Sequence, residues 1–443
     1  MGIMRKTIIG SFIIILMIST GSYALTLKES VDLALKNNPS VRSYQKKSDA
    51  ANARLGQAVG SFFPTIKAEG TIGRSYSQPS TMQMTVPTTQ GSTVQDITFG
   101  TDAVADGKSI TLSLSQPIFV AALLPGYKIA QKSADLAKQD FNNSILDTSF
   151  QAIRTYFGVV LANKMVKLAE ESRNMALSHK NLVESMLNAG VSTRADLLRA
   201  EVQLANSEVG LTKTQNALEL AKDAFNNALG RNLEEPVVLE EESLTGQVAN
   251  IPTYPTLLST AWDNRPDWKQ FILGKEISEE NLRVTQTGYL PTVLLTGQTG
   301  NRITEYPSYR TDVNSWTIIG VASWTLFDGL STQNRINEAA ANLSAQKTTE
   351  EQVRNGVALE VRDAFLTLKS SLLTIGSTQK AVNSAEESLK LSNLRYSSGV
   401  GTNLEVIDAQ VSLTQAKYNH LQALFDTEIN KAKVNKVVGK EVL

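Results

Sequence analysis

The sequence is written twice, and this restricts the fold more than any other feature. Ala34, Asn37 and Pro39 in LALKNNPSV recur as Ala261, Asn264 and Pro266 in TAWDNRPDW. At the same spacing FFPT at 62–65 meets YLPT at 289–292, and Gly70 meets Gly297. Farther on, LNAGVSTRADLLRAE at 187–201 matches YSSGVGTNLEVIDAQ at 396–410, and each half then runs to a glycine, Gly230 and Gly439. Self-similarity on this scale means one supersecondary unit built twice. The expected units are 25–230 and 254–439, with a linker at 231–253 and a tail at 440–443. The linker carries Glu234, Glu235, Glu240, Glu241 and Glu242.

Each unit reads alike. A helix (28–60; 255–287) leads to Pro-Thr and a β section, then a very long helix (about 126–188; 331–397), a Gly-Val turn, and a second long helix (193–229; 402–438). At 1.5 Å per residue the longest helices reach roughly 95 Å, beyond anything a compact bundle holds. Leu404, Ile407, Val411, Thr414, Tyr418, Leu421 and Phe425 alternate spacings of three and four, the seam of a coiled coil. Ala195, Leu198, Val202, Ala205 and Val209 repeat it with smaller knobs. Gly190 and Gly399 supply the positive φ that ends a helix, and Thr193 and Thr402 cap the next. The fold class is therefore mainly α with a small β part.

The strands are expected at about 64–78, 108–119, 291–303 and 312–327. In the last, Trp316, Ile318, Gly320, Ala322, Trp324 and Leu326 share a face, which places the two Trp roughly 26 Å apart. That spacing suits the aromatic belts of a lipid-facing barrel, and equally two core residues of a soluble sheet. The polar loops at 79–107 and 304–311, one long and one short, join strands at the end away from the helices. Four strands cannot close a barrel, and open edges are not tolerated in lipid. Two copies give eight strands, a barrel filled by side chains, and three give twelve, wide enough for a channel.

Composition excludes several functions. Lys+Arg and Asp+Glu both number 43, so the chain has no broad attraction to nucleic acid. With no Cys there is no disulfide, thiolate metal site, Cys nucleophile or acylated N-terminal Cys, and with only two His, His179 and His420, zinc catalysis is not expected. No cofactor, metal or catalytic group is expected; Met82 and Met84 in the outer loop are read as incidental to metal handling. Residues 1–24 read as a cleaved signal peptide: Arg5 and Lys6, an apolar run from Ile8 to Ile18, then Ser22-Tyr23-Ala24. No later stretch is long and apolar enough for a transmembrane helix, which leaves a barrel open.

The opening LTLKESVDLALKNNPSV, the FFPT and YLPT motifs and the paired Gly-Val turns together resemble the TolC-like outer membrane efflux family, over essentially the whole mature chain. The resemblance implies a homotrimer in a Gram-negative outer membrane, with a 12-stranded β-barrel continued by an α-helical barrel across the periplasm. It implies a periplasmic adaptor and an inner-membrane pump or ABC transporter as partners, serving drug efflux or type I secretion. The lipoprotein members' acylated Cys is missing here, so the barrel is the only expected membrane anchor.

The resemblance also places functional residues. Glu405 and Asp408 share one helix face and match acidic rings at a constricted entrance, where three copies set six carboxylates around one opening. Asp196 and Tyr396 match positions that hold the entrance closed, with Arg194, Arg199 and Arg395 as candidate partners. Gly401 stands where some relatives carry an Arg that links the tips. Gly190, Val191, Gly399 and Val400 are candidates for adaptor docking, and Trp316 and Trp324 for the lipid-facing belt. A non-conducting periplasmic coiled-coil scaffold is the alternative.

Overall fold

A computed structural model describes residues 24–89, 91–99, 102–240, 244, 246 and 250–443. The expected signal peptide, all but Ala24, and Glu241 and Glu242 of the linker lie outside these residues. The chain divides into two compact units, each drawing on both sequence halves. One comprises the chain through Arg42, Ser144–Asp263 and Glu360–Leu443; the other comprises Ser43–Asn143 and Asn264–Leu359.

In chain order the elements are α1 (Leu27–Asn37), α2 (Pro39–Gly60), β1 (Thr65–Ser77), β2 (Ser80–Thr88), β3 (Gly91–Phe99), β4 (Ala103–Val120), α3 (Leu123–Asn188) and α4 (Arg194–Leu229). There follow α5 (Tyr254–Asn264), α6 (Pro266–Gln286), β5 (Thr292–Glu305), β6 (Arg310–Ser323), α7 (Ser331–Ser397) and α8 (Asn403–Val438). The long helices α3 and α7, of 66 and 67 residues, match the expected 126–188 and 331–397 apart from three more residues at the start of α3.

Three expectations need correction. The helices read as 28–60 and 255–287 are each broken, at Asn38 and Arg265, because the residue before a proline is pushed out of helical geometry. Asn38 and Arg265 take extended ψ values of 125° and 118°. Asn38 Oδ1 then accepts from Ser40 N at 2.8 Å and starts α2. The outer segment 79–107, read as a flexible loop, is a β2–β3 ribbon paired from Ser80↔Phe99 to Thr88↔Gly91, followed by the start of β4. Threonines and valines recur through it, and β-branched side chains favour a pleated backbone.

The heptad seam on α8 is also displaced. The stripe buried within the chain near the start of α8 is Asn403, Val406, Gln410 and Leu413, one position away, while Leu404 and Val411 of the predicted seam are about half exposed (52% and 51%). On α4 the predicted seam Ala195, Leu198, Val202, Ala205 and Val209 is exposed throughout, and Leu197 and Ala200 are buried instead. Two polar members, Asn403 and Gln410, hide the buried stripe from a hydrophobicity count. The apolar stripe that does show in the sequence is left half exposed over these turns, at Leu404 and Val411.

Two core clusters of the first unit position the linker and the hairpin ends. One gathers Ala34, Tyr156, Phe225, Leu229 and Leu244, with Leu239 of the linker packed against it. Phe225 and Leu229 are fully buried, each stabilising by about 1.5–3 kcal/mol. The Tyr156 hydroxyl donates to the Glu240 carbonyl at 3.1 Å, and Leu25 bridges Leu239, so the linker is strapped to the helices. The second core lies at the far ends of the helical hairpins: Val183, Leu197, Ala200, Leu389, Tyr396, Val406, Ala409 and Leu413.

The second unit holds a four-stranded antiparallel sheet in the order β1-β4-β5-β6. The aligned rows Ile66–Leu114–Gly297–Ile318 and Ala68–Leu112–Thr299–Trp316 run across one face. The rows Lys67–Ser113–Gln298–Thr317 and Glu69–Thr111–Gly300–Ser315 run across the other. One face is thus apolar and the other polar, as period-two alternation dictates. Helix α6 is tied to α3 by Lys132–Glu276 (2.5 Å) and to α7 by Lys275–Glu350 (2.8 Å).

Candidate functional site at the hairpin tips and the sheet face

The two hairpin tips are built by the same hydrogen bonds. Gly190 N donates to Leu187 O, and Val191 N and Ser192 N both donate to Met186 O. Gly399 N likewise donates to Tyr396 O, and Val400 N and Gly401 N to Arg395 O. Gly190 and Gly399 share φ 75°, a conformation glycine takes without a Cβ clash. The turns leave Val191 and Val400 exposed. Gly401 is a different case: a Cβ there would lie 2.9 Å from both Arg395 Cβ and Tyr396 N. The turn closes against the backbone of α7, leaving no room for a side chain at this position.

Each tip is capped. Thr193 accepts from Asp196 N (3.1 Å), and Asp196 Oδ2 accepts from the Thr193 hydroxyl (2.6 Å) and backbone N–H (3.3 Å). These bonds, the hydroxyl's foremost, hold the Asp196 carboxyl below the usual carboxylate range; Arg199 adds to the effect and burial opposes it. Thr402 accepts from Glu405 N at 3.2 Å.

The predicted site residues divide into three groups. Glu405 meets Arg395, whose Nε donates to Glu405 Oε2 at 3.3 Å while its guanidinium also reaches the Val400 carbonyl. Asp408, one turn on, is exposed. Asp196 and Tyr396 are not joined by a hydrogen bond: Asp196 closes its own cap, and Tyr396 is buried with its hydroxyl unpartnered. The Tyr396 ring lies 5.4 Å from that of His179.

Two residues at the centre of the tips escape sequence reasoning. Asn403 Nδ2 donates to the Asp196 carbonyl at 3.0 Å, and its Oδ1 lies 2.6 Å from His179 Nε2. His179 and Asn403 are 4% and 3% exposed. One lies on α3 and the other opens α8, so the pair joins the two hairpins. The spacing of Asn403, Val406, Gln410 and Leu413 on one stripe of α8 is a signal for Asn403 once polar residues are admitted to it, and nothing comparable marks His179.

On the sheet, the apolar face is open. Ile72, Ile318 and Trp316 are 80%, 67% and 75% exposed. Trp324 lies one residue beyond the end of β6, not within it; it is exposed, and its Nε1 donates to the Tyr289 carbonyl at 3.0 Å. Soluble monomers rarely expose so continuous an apolar patch. Strands β1 and β6 are the sheet's two edges, with a row of backbone groups to pair beyond each. Among the described residues no helix is long and apolar enough to cross a membrane, and no three His, Asp or Glu are grouped to hold a metal.

Comparison with known proteins places this architecture. The outer membrane protein TolC of Salmonella enteritidis is 22% identical over 431 residues, covering 95% of this chain and 83% of its own. The proteases secretion protein PrtF of Dickeya chrysanthemi is 22% identical, covering 95% of this chain and 91% of its own. Among solved structures the outer-membrane channel OprN shares the fold with a TM-score of 0.78, at 19% identity over 93% of this chain and 89% of that one. The family model described as outer membrane efflux protein matches residues 30–231 and 257–440, so the chain belongs to the outer membrane efflux protein family.

Proposed function

We propose that this protein is the outer-membrane channel-tunnel of an export system, a homotrimer that carries small molecules or proteins from the periplasm to the exterior. The observation that carries the reading is the sheet: one apolar face, one polar face and two open edges. Three copies joined edge to edge make twelve strands, with the apolar rows toward outer-membrane lipid and the polar rows lining a lumen. Trp316 and Trp324 sit in the aromatic belt. The exposed stripes on α4 and α8 are then covered by neighbouring copies, continuing the barrel as packed helices.

Residues 25–230 and 254–439 act as two copies of one unit joined by the linker, after removal of residues 1–24. The tips form the periplasmic entrance. Glu405 and Asp408 supply its acidic rings, Arg395 restrains Glu405, and Asp196 and Tyr396 belong to the closed arrangement. Gly190, Val191, Gly399 and Val400 present the surface that a periplasmic adaptor docks on, and an inner-membrane pump or ABC transporter supplies energy.

The test is conductance of detergent-extracted protein in a planar bilayer, wild type beside a Glu405→Gln, Asp408→Asn double variant. The reading predicts cation-selective channels that lose selectivity in the variant. Unchanged selectivity removes the acidic entrance from these residues. No conductance, from protein soluble without detergent, replaces the channel with a scaffold.

A further inference from the structure

Asn403 has only one orientation that serves both of its contacts. The Asp196 carbonyl can only accept, so Nδ2 faces it and Oδ1 faces His179. His179 Nε2 must therefore carry the hydrogen, and Nδ1 holds a bare lone pair. That atom is buried and unpartnered, as are Tyr396 Oη and Gln410 Oε1 in the same cluster. Each is a polar group that water would satisfy if the tips moved apart. The cluster is thus a closed contact between two hairpins whose separation relieves three unmet hydrogen bonds.

We propose that His179 and Asn403 form a proton-sensitive brace that holds the two hairpin tips together, and that protonation of His179 releases it. A proton can add only at Nδ1, where it would place a positive charge on a ring that is buried away from water. Among the described residues, the following carboxylates on the packed elements have partners of their own, and Asp408 of α8 is exposed to solvent. On α3, Lys180 pairs with Glu184, and Glu171 shares Lys417 of α8 with Glu386 of α7. Arg395 of α7 holds Glu405 of α8, and Asp196 of α4 is bound by Thr193, with Arg199 beside it. Burial accordingly pushes the His179 imidazole below its ordinary 6.5, against the opposing hydrogen bond of Asn403.

The direction follows from linkage. The packed tip favours the neutral ring, and the released tip returns it to its ordinary value. The brace is complete above about pH 6.5 and weakens as the pH falls from there toward the depressed value. Over that window the ratio of released to packed tips rises by about tenfold per pH unit for each chain. His179 is a positioning residue: it acts on the entrance through Asn403, and this role rests on the reading of the tips as the entrance.

The experiment is amide hydrogen exchange of residues 186–200 and 396–410 in the full protein in detergent micelles, at about pH 8 and about pH 5, corrected for intrinsic rates. Conductance is recorded alongside. Wild type is expected to lose protection at both tips in acid, by up to about tenfold for each pH unit between 6.5 and the depressed value. His179→Gln, which can still donate to Asn403 but cannot titrate, should match wild type at the higher pH and lose the acid response. Asn403→Leu should be loosened at both pH values. An acid response that survives in His179→Gln, or its absence in wild type, overturns the proposal. Loss of protection in acid that His179→Gln abolishes, without a change in conductance, supports the brace and overturns the entrance reading. Should Asn403→Leu misfold, the comparison of wild type with His179→Gln still decides.

Discussion

A lysine in place of Ile318 separates a lipid-covered sheet from a water-covered one. Ile318 lies on the apolar row Ile66–Leu114–Gly297–Ile318 and is 67% exposed in the single chain. If water covers that face, Ile318→Lys is a surface substitution worth within about 0.5 kcal/mol. If lipid covers it, a lysine near the bilayer midplane costs about 2–4 kcal/mol per chain, roughly 30- to 1,000-fold in the folding equilibrium. Three chains in one barrel multiply that to about 6–12 kcal/mol. Thr317→Lys, the neighbour on the polar row beside Gln298, is the control and should cost little. The assay is guanidinium unfolding of protein reconstituted in phospholipid vesicles, followed by tryptophan fluorescence. An Ile318→Lys variant as stable as Thr317→Lys would refute the assignment of faces.

Two further substitutions probe the tips, and a third, in the interior of α4, is a control. Gly401→Ala should destabilise by about 1–3 kcal/mol, because the new Cβ meets Tyr396 N and Arg395 Cβ at 2.9 Å. Gly210→Ala, where nothing lies within 4 Å, should instead gain up to about 1 kcal/mol in the same thermal melts. Thr193→Ala removes the cap of α4 and should cost about 1 kcal/mol at neutral pH. The Asp196 carboxyl is held low by Thr193, so its share of the cap is present above the usual carboxylate range and lost as pH falls through the depressed value. The gap between the melts of wild type and variant should narrow in acid, leaving the share of the bond from Asp196 N to the Thr193 hydroxyl, which does not titrate.

The duplication made the element order legible, because matched motifs fix matched turns: Gly190 and Gly399 end their helices at the same φ with the same hydrogen bonds. Sheet faces were legible too, since alternation in β6 alone assigns Ile318 and Thr317 to opposite sides. The breaks before Pro39 and Pro266 were written in the sequence but lost within an otherwise helical pattern. The buried stripe of α8 was not legible. Hydrophobicity marks Leu404 and Val411, whereas the chain buries Asn403 and Gln410, whose side-chain N–H groups donate to backbone carbonyls far away in sequence. Long-range polar pairing leaves no period, so His179 read as one of two stray histidines when it is the buried partner of Asn403.

The central claim is that the β1 and β6 edges are completed by two more copies of the same chain. Since the protein has no cysteine, introduced ones report without background. Thr71→Cys on β1 would be combined in turn with single cysteines from Val313 to Val321 on β6 and oxidised in the membrane. The account predicts covalent trimers on a denaturing gel, strongest at one register and alternating with the faces of β6, since a β1–β6 pair between copies is antiparallel. Monomers at every position, from protein otherwise folded and in the membrane, would contradict it.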